Sequence, residues 1–132
     1  YALGVVQDSA EKIDHTLPPQ PAIPAAVTVE YGEYLAQSCK GCHGPQLTGG
    51  VIPGAPPAWP AAADLTPGEQ SALVHYPDEE SFRAMFRSGR RPDGSAISNV
   101  MPFAALAQMN DTDSAALFLY LKNLPPVIAS NR

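Results

Sequence analysis

The sequence has few cysteines and little charge, and each shortage excludes a class of protein. Only two of its 132 residues are cysteine, which rules out a framework of several disulfides. Charged residues make up 16% of the chain and the formal net charge is −5, which argues against nucleic-acid binding. No apolar run approaches the ~20 residues that a helix needs to cross a bilayer. With 45% hydrophobic residues, the chain instead suits one small domain with an extension.

Proline and glycine are abundant, and their positions divide the chain. There are 15 prolines and 10 glycines, so much of the backbone is expected to be loop. Residues 1–28 are predicted to be a proline-rich arm or linker, because Pro18, Pro21 and Pro24 favour extended, polyproline-like backbone. Residues 29–132 are predicted to form the folded domain. Two interpretations of the arm stay open: a spacer from a membrane anchor or another subunit, and a strap on the domain surface.

The two cysteines lie three positions apart and a histidine follows them, in Cys39-Lys40-Gly41-Cys42-His43. This is the attachment sequence of a c-type haem, in which both thiols add to vinyl groups and the histidine binds the iron. A thiol redox site expects β-rich flanks, a zinc site needs four ligands, and a structural disulfide gives the histidine no role. The motif therefore predicts one haem c attached through Cys39 and Cys42, with His43 as an iron ligand.

Methionine and histidine are the candidates for a second iron ligand. Met101 lies in a polar loop, Pro102 imposes an extended conformation on it, and a thioether is a soft ligand that suits iron. Met85 belongs to a helical stripe and Met109 lies near the end of a short helix, so both are interpreted as packing. His75 is interpreted as a loop side chain. The sequence favours Met101 and keeps Met109 and His75 as alternatives.

A long loop that follows the motif is predicted to wrap around the haem. Residues 44–77 contain seven prolines, which exclude long helices, and residues 41–63 contain no charged side chain. Trp59, in this loop, is interpreted mainly as core packing, with contact between its indole N–H and a haem propionate as the alternative. The segment therefore contributes an apolar lining and one candidate for cofactor contact.

Four arginines, Arg83, Arg87, Arg90 and Arg91, form the main basic cluster of the sequence. Two interpretations are open for them. In one, the arginines lie on a solvated helix face and pair with nearby glutamates at i,i+4 spacing. In the other, one of them contacts a haem propionate or a partner, because a guanidinium matches carboxylate geometry. Arg91 is the candidate for cofactor contact.

Hydrophobic periodicity and capping signals predict about four to five short helices. Gly32 and Ala36 are four apart in the first of them, and a glycine within a helix indicates that another backbone element passes closely. We expect that element to be the last helix, near Tyr120. The predicted helices are 29–38, a start at 66–69, 77–88, 103–108 and 112–124.

The order of these features resembles class I monohaem bacterial cytochromes c, especially the cytochrome c subunits or domains of periplasmic dehydrogenases. The resemblance covers about residues 29–126 and rests on the segments CKGCH, LTP, RSGRRPDG and MPF. It implies an all-α cytochrome c fold around one haem, with Cys39 and Cys42 as thioether anchors, His43 as proximal ligand and Met101 as distal ligand. The scarcity of lysine departs from cytochromes that dock through a ring of lysines.

An iron with both axial positions filled has no open site, so the resemblance predicts a periplasmic one-electron carrier rather than an enzyme. The expected partners are a redox protein donor and acceptor, such as a periplasmic dehydrogenase, a quinol-oxidising complex or a terminal oxidase. Two alternatives stay open: a fixed electron-transfer subunit of a larger dehydrogenase or oxidase complex, and a haem sensor or peroxidase if Met101 is not a stable ligand. A membrane anchor before Tyr1 is also left open.

Overall fold

The computed structural model describes residues 13–126, and this part of the chain is helical with long irregular connections. Two isolated antiparallel bridges, Gly50 with Ala62 and Arg90 with Ala96, are its only β-type pairings. The predicted all-α class is confirmed. The α-helices are α1 (Val29–Ala36), α2 (Lys40–His43), α3 (Glu79–Ser88), α4 (Phe103–Leu106) and α5 (Asp111–Asn123), with 3-10 turns at Gln37–Cys39 and Ala72–His75.

The helix ends follow side-chain caps that the sequence shows. The Thr28 hydroxyl accepts a hydrogen bond from the Tyr31 backbone N–H at 3.2 Å and starts α1. At the start of α5, Asn110 and Asp113 form a reciprocal capping box, in which each side chain accepts from the other residue's backbone N–H. The caps satisfy backbone donors that have no partner within the helices.

The first and last helices cross in close contact at Gly32. A Cβ atom at this position would lie 2.6 Å from Tyr120 Cβ and closer still to the backbone of Ala116, so only glycine fits. A hydrogen bond of 2.8 Å from the Tyr31 hydroxyl to Asp113 Oδ1 joins the same two helices. The predicted crossing of α1 and α5 is therefore confirmed.

Helix α3 supplies the aromatic part of the core. Asp78 caps its start, and Gly89 ends it in the left-handed conformation at φ 65°. The rings of Phe82 and Phe86 meet edge to face at a centroid distance of 4.8 Å. Met85 is buried beside them, which confirms its interpretation as packing. The buried cluster consists of Ala36, Leu47, Leu73, Tyr76, Phe82, Met85, Phe86, Leu117 and Leu121.

One predicted helix start is wrong. The chain does not enter a helix at Thr66, because the Asp64 carboxylate accepts hydrogen bonds from both the backbone N–H and the hydroxyl of Thr66. This local bonding competes with the helical pattern and holds the segment in turns. The short 3-10 turn begins instead after Ser71, whose side chain accepts from the Leu73 N–H.

The described part of the arm is exposed. In residues 13–25 the hydrogen bonds are local, such as Leu17 N–H to the Asp14 carbonyl at 3.4 Å. The apolar side chains of Leu17 and Ile23 are 67% and 43% exposed, and the spacer and the strap both stay predictions. Within residues 13–126, each helix is too short or too polar to cross a membrane.

Candidate haem-binding site

The attachment motif lies on two consecutive short helical segments. Cys39 ends a 3-10 turn and is half-buried at the edge of the core cluster, whereas Cys42 lies on α2 and is exposed. Both thiols are free, as addition to vinyl groups requires. Burial raises the pKa of the Cys39 thiol, with the neighbouring Ser38 hydroxyl acting in the opposite direction.

The ring of His43 is held by a hydrogen bond to the main chain. Its Nδ1 lies 2.8 Å from the carbonyl oxygen of Ala63. Because a carbonyl only accepts, Nδ1 carries the proton in this contact, and Nε2 is left with the lone pair that a metal ligand needs. The Gly49 N–H also donates to the His43 carbonyl at 2.8 Å, so the backbone and the ring are both fixed.

The carbonyl that orients His43 is itself positioned by a closed loop. Gly50 and Ala62 exchange two backbone hydrogen bonds of 2.9 and 2.8 Å, directly beside Ala63. Gly49 has φ 72°, and a Cβ there would lie 2.5 Å from the Ala63 carbonyl carbon, so the two chain segments meet at glycine. We call residues 44–65 the proximal loop. Sequence reasoning missed Ala63, since a main-chain acceptor has no side-chain signature, although Gly49-Gly50 did mark a turn.

Met101 lies between two tight turns. Its N–H donates to the Ser98 carbonyl at 3.1 Å, and its own carbonyl accepts from the Phe103 N–H at 2.8 Å. Pro102, between Met101 and Phe103, has φ −79° and ψ 65°, the geometry of an inverse γ-turn. Met101 is half-buried and packs against the core cluster that Cys39 also borders. The fold thus brings the motif and Met101 to the edge of one apolar cluster.

The alternative ligands differ from Met101 in their surroundings. His75 ends a 3-10 turn and is exposed, and Met85 is 5% exposed within the core. Met109 is half-buried and packs against the cluster, as its interpretation predicts. Met101 and Met109 therefore share partial burial and a position outside the helices, whereas His75 is exposed and Met85 is buried in α3.

The expectation that Trp59 packs in the core is wrong for the described polypeptide. The side chain is 45% exposed, and the backbone N–H of Trp59 donates to the Pro56 carbonyl at 2.9 Å, which places the residue at the end of a tight turn. Trp59 instead borders a small apolar pocket within the proximal loop. The pocket is lined by Val51, Ile52, Ala55, Pro56, Pro57, Trp59, Pro60 and Ala61.

The basic cluster is divided between two environments. On α3, Arg83 pairs with Glu79 at 3.9 Å, as predicted, and more closely with Asp111 at 2.8 Å, which Arg87 also contacts. Arg91 is different, because its Nη1 donates to Ser95 Oγ at 3.2 Å and to the Ala96 carbonyl at 3.0 Å. The solvated-face interpretation therefore describes the helical arginines and not Arg91.

Tyr76 lies close enough to Arg91 for the charge of the arginine to act on its phenol. Nothing in the sequence identified Tyr76 as a site residue. The residue is 4% exposed and borders Phe82. Burial raises the pKa of the Tyr76 phenol, and the positive charge of Arg91 opposes that shift. The arginine is therefore near a buried aromatic residue of the core as well as its own loop.

These residues fit a covalently bound haem: two free thiols at the required spacing, a histidine whose tautomer leaves Nε2 available, and an apolar cluster beside them. This combination on an all-α fold defines a class of haem-carrying electron-transfer proteins. A sequence model of that class, described as cytochrome c, matches residues 29–125, and the chain belongs to the cytochrome c family. Membership implies haem c with its iron, and the function of the domain is electron transfer.

The curated relatives are subunits of dehydrogenases. The chain is 27% identical over 111 residues to the cytochrome c subunit of a quinone alcohol dehydrogenase from Gluconobacter oxydans (strain 621H), covering 79% of this chain and 23% of the relative. It is 28% identical over 111 residues to the gluconate 2-dehydrogenase cytochrome c subunit of Pantoea cypripedii, covering 79% and 25%. It is 30% identical over 98 residues to a quinone alcohol dehydrogenase cytochrome c subunit of Komagataeibacter europaeus, covering 70% and 21%. The chain thus spans about a quarter or less of their lengths, and its predicted similarity to such subunits is confirmed.

Proposed function

We propose that residues 29–132 form a domain that carries single electrons in the bacterial periplasm on one haem c. Cys39 and Cys42 form the thioether bonds, and Nε2 of His43 binds the iron. The observation that carries the proposal is the hydrogen bond of 2.8 Å between His43 Nδ1 and the Ala63 carbonyl, because it fixes the tautomer and the ring orientation of a metal ligand. The bound haem supplies an iron that gains or loses one electron.

Met101 is the proposed ligand on the opposite face. Its support is the pair of turns that hold it in a loop at the edge of the core, where the residue is half-buried. A methionine ligand raises the reduction potential of a c-type haem. Residues 41–63 and 94–110 have no charged side chain, and an apolar environment of this kind acts in the same direction.

Visible spectroscopy of Met101→Ala in both oxidation states tests this ligation. We expect the sulfur-to-iron charge-transfer band of the oxidised protein to vanish in this variant and to persist in Met109→Ala, the matched control from the same cluster. A band that survives in Met101→Ala would refute the assignment. A haem sensor or peroxidase would instead show an open iron, with rapid carbon monoxide binding by the reduced unmodified protein.

The proximal loop is the proposed docking surface for a redox partner. We propose that residues 44–60 frame the exposed haem edge and meet the partner through apolar contact. In support, Val51 is 88% and Trp59 45% exposed, and residues 41–63 contain no charged side chain. Association through such a surface depends weakly on ionic strength, since charge steering is absent. Electron-transfer rates measured across a salt series test this, and a steep loss at high salt would contradict it.

A fixed place in a larger dehydrogenase is the second candidate. It is favoured by the relatives, which are dehydrogenase cytochrome c subunits much longer than this chain, and by the exposed arm, which suits a spacer between folded units. Haem reduction in washed membranes and in the periplasmic extract, each supplied with alcohol or gluconate, separates the two arrangements. Reduction confined to the membranes indicates a fixed subunit, and reduction in the extract indicates a diffusing carrier.

A further inference from the structure

The chain between α3 and Met101 folds back on itself as a small hairpin, residues 89–97. Its closing contacts are backbone hydrogen bonds: Arg91 N–H to the Ser95 carbonyl at 2.9 Å, and Ile97 N–H to the Gly89 carbonyl at 2.9 Å. The bridge between Arg90 and Ala96 lies within it. We call this segment the Arg91 hairpin.

The side chain of Arg91 lies across this hairpin. One terminal nitrogen, Nη1, donates to both Ser95 Oγ and the Ala96 carbonyl, so this guanidinium joins the two sides of the hairpin. The neighbouring Arg90 adds one such bond, from its Nη1 to the Gly94 carbonyl at 2.8 Å, nearer the tip of the hairpin. Within residues 13–126, no carboxylate forms an ion pair with Arg91, whereas Arg83 and Arg87 both pair with Asp111. Arg91 is therefore engaged with its own loop and not with the helix face.

The hairpin leads directly into the turns that hold Met101. Ile97 ends the hairpin with its bond to Gly89, and Ser98 begins the turn that closes on the Met101 N–H. On the other side of Met101, the Phe103 ring lies against Gly89, 3.4 Å from where a Cβ of that residue would be. The residues on either side of the segment 98–102 thus both lie against Gly89, one through a hydrogen bond and the other through packing of its ring. We infer that the geometry of the segment depends on the hairpin remaining closed.

We propose that Arg91 is a positioning residue for Met101, because its side chain keeps the hairpin closed and thereby holds the sulfur against the iron. The proposal rests on the proposed ligation by Met101. Removing the guanidinium frees the Ser95 and Ala96 acceptors and loosens the start of the segment 98–102. The sulfur then leaves the iron more often, while the identity of the ligand is unchanged.

Carbon monoxide binding to the reduced haem protein measures how often the sulfur is absent from the iron, because the gas binds only to the open state. We expect Arg91→Gln to bind about tenfold faster, equivalent to about 1.4 kcal/mol, and Ser95→Ala about threefold faster, since it removes one of two acceptors. In the double variant, the combined effect should be smaller than the sum of the two single effects, because both changes remove the same hydrogen bond between Arg91 and Ser95. Arg87→Gln, which removes an arginine outside the hairpin, should bind at the unmodified rate.

The Ser95→Ala variant separates this role from direct contact between Arg91 and a haem propionate. Serine carries no charge, so its removal leaves the electrostatics of a propionate contact unchanged. If Arg91→Gln accelerates binding while Ser95→Ala does not, or if the two effects add in full, the hairpin proposal is refuted. Equal acceleration in Arg87→Gln would also refute it, because general destabilisation would then explain the effect.

Met101→Ala distinguishes failure of this inference from failure of the ligation itself. If its charge-transfer band and carbon monoxide rate are those of the unmodified protein, the ligand assignment is wrong and the inference falls with it. If Met101→Ala opens the iron but Arg91→Gln binds at the unmodified rate, the ligation stands and only the role of Arg91 is wrong.

Discussion

The two candidate iron ligands are held in different ways. The ring of His43 donates a hydrogen bond from Nδ1 to the Ala63 carbonyl, in a proximal loop that main-chain bonds close next to that residue. The Met101 sulfur has only packing and the shape of its turns to place it, and we propose that those turns depend on a hairpin closed in part by side-chain hydrogen bonds. A directed bond fixes both orientation and protonation, whereas packing fixes position alone. The methionine side is therefore the one expected to open first.

The largest effect is expected on the unfolding free energy when the close contact at Gly49 in the proximal loop is disrupted. In Gly49→Ala, the new Cβ meets the Ala62 and Ala63 backbone and occupies a left-handed conformation, so we expect a loss of about 2–4 kcal/mol in unfolding free energy. Gly54→Ala is the control, because Gly54 has a similar φ of 74° but no described atom within 4 Å of its Cβ position. Denaturant unfolding of the haem protein measures both, and an equal loss in the two variants would contradict the close contact.

The next largest effect is expected on the reduction potential when the proposed distal ligand, Met101, is removed. Met101→Ala should lower the reduction potential by on the order of 0.1 V, since axial ligands tune haem potentials over about 0.8 V. The haem should remain bound, because the proposed thioether bonds at Cys39 and Cys42 and the His43 contact with Ala63 are unchanged. Potentiometric titration of Met101→Ala beside Met109→Ala measures the difference. An unchanged potential in Met101→Ala would contradict the proposal that Met101 binds the iron on the distal side.

A smaller change sharpens the comparison within the Met101 turn. The Ser98 hydroxyl accepts from the Val100 N–H at 3.3 Å, a long hydrogen bond. Ser98→Ala should increase carbon monoxide binding by about twofold, because a weak hydrogen bond contributes about 0.5 kcal/mol. Asn99→Ala is the control from the same turn, since Asn99 makes no side-chain hydrogen bond with the described residues. If Ser98→Ala accelerated carbon monoxide binding as much as Arg91→Gln does, the turn and not the hairpin would be the main constraint on the position of Met101.

The smallest effect is expected from protonation of the Asp93 carboxylate at acid pH, which should weaken the Arg91 hairpin. Hydrogen bonds from Ser95 hold the pKa of Asp93 below its ordinary value of 3.8. The stabilisation by ionised Asp93 is therefore fully present above that value and is lost as the pH falls through the lower pKa of the folded state. We expect carbon monoxide binding to accelerate below about pH 3.8, and less so in Asp93→Asn. Identical pH profiles for the two proteins would show that the carboxylate does not support the hairpin.

The elements that side chains encode were predictable from the sequence. The caps at Thr28 and Asn110 and the crossing at Gly32 follow from the preferences of single residues, and the structure contains them. The attachment motif is equally local, which is why the family and its cofactor were predictable. The individual roles of Cys39, Cys42, His43, Met101, Trp59 and Arg91 stay predictions.

The features that the sequence did not predict are made by the main chain or by competition between local bonds. The Ala63 carbonyl and the closure of residues 89–97 depend on where distant backbone groups meet. No helix starts at Thr66, because the Asp64 carboxylate accepts a hydrogen bond from the Thr66 N–H. Trp59 was expected in the core because tryptophan is usually packed, but it is 45% exposed at the end of a turn closed by its own N–H and the Pro56 carbonyl.

The crossing of α1 and α5 also has a consequence for the order of events during biosynthesis. Gly32 and Ala116 stand 84 positions apart, and the motif Cys39 to His43 lies between them. Contacts of such long sequence separation form only after both partners exist. A chain still emerging therefore cannot close its ends together, and we expect the thiols to remain accessible to attachment until α5 has been made. Chains that stop before residue 111 should accordingly stay sensitive to protease at the motif, and protection in such chains would contradict this order.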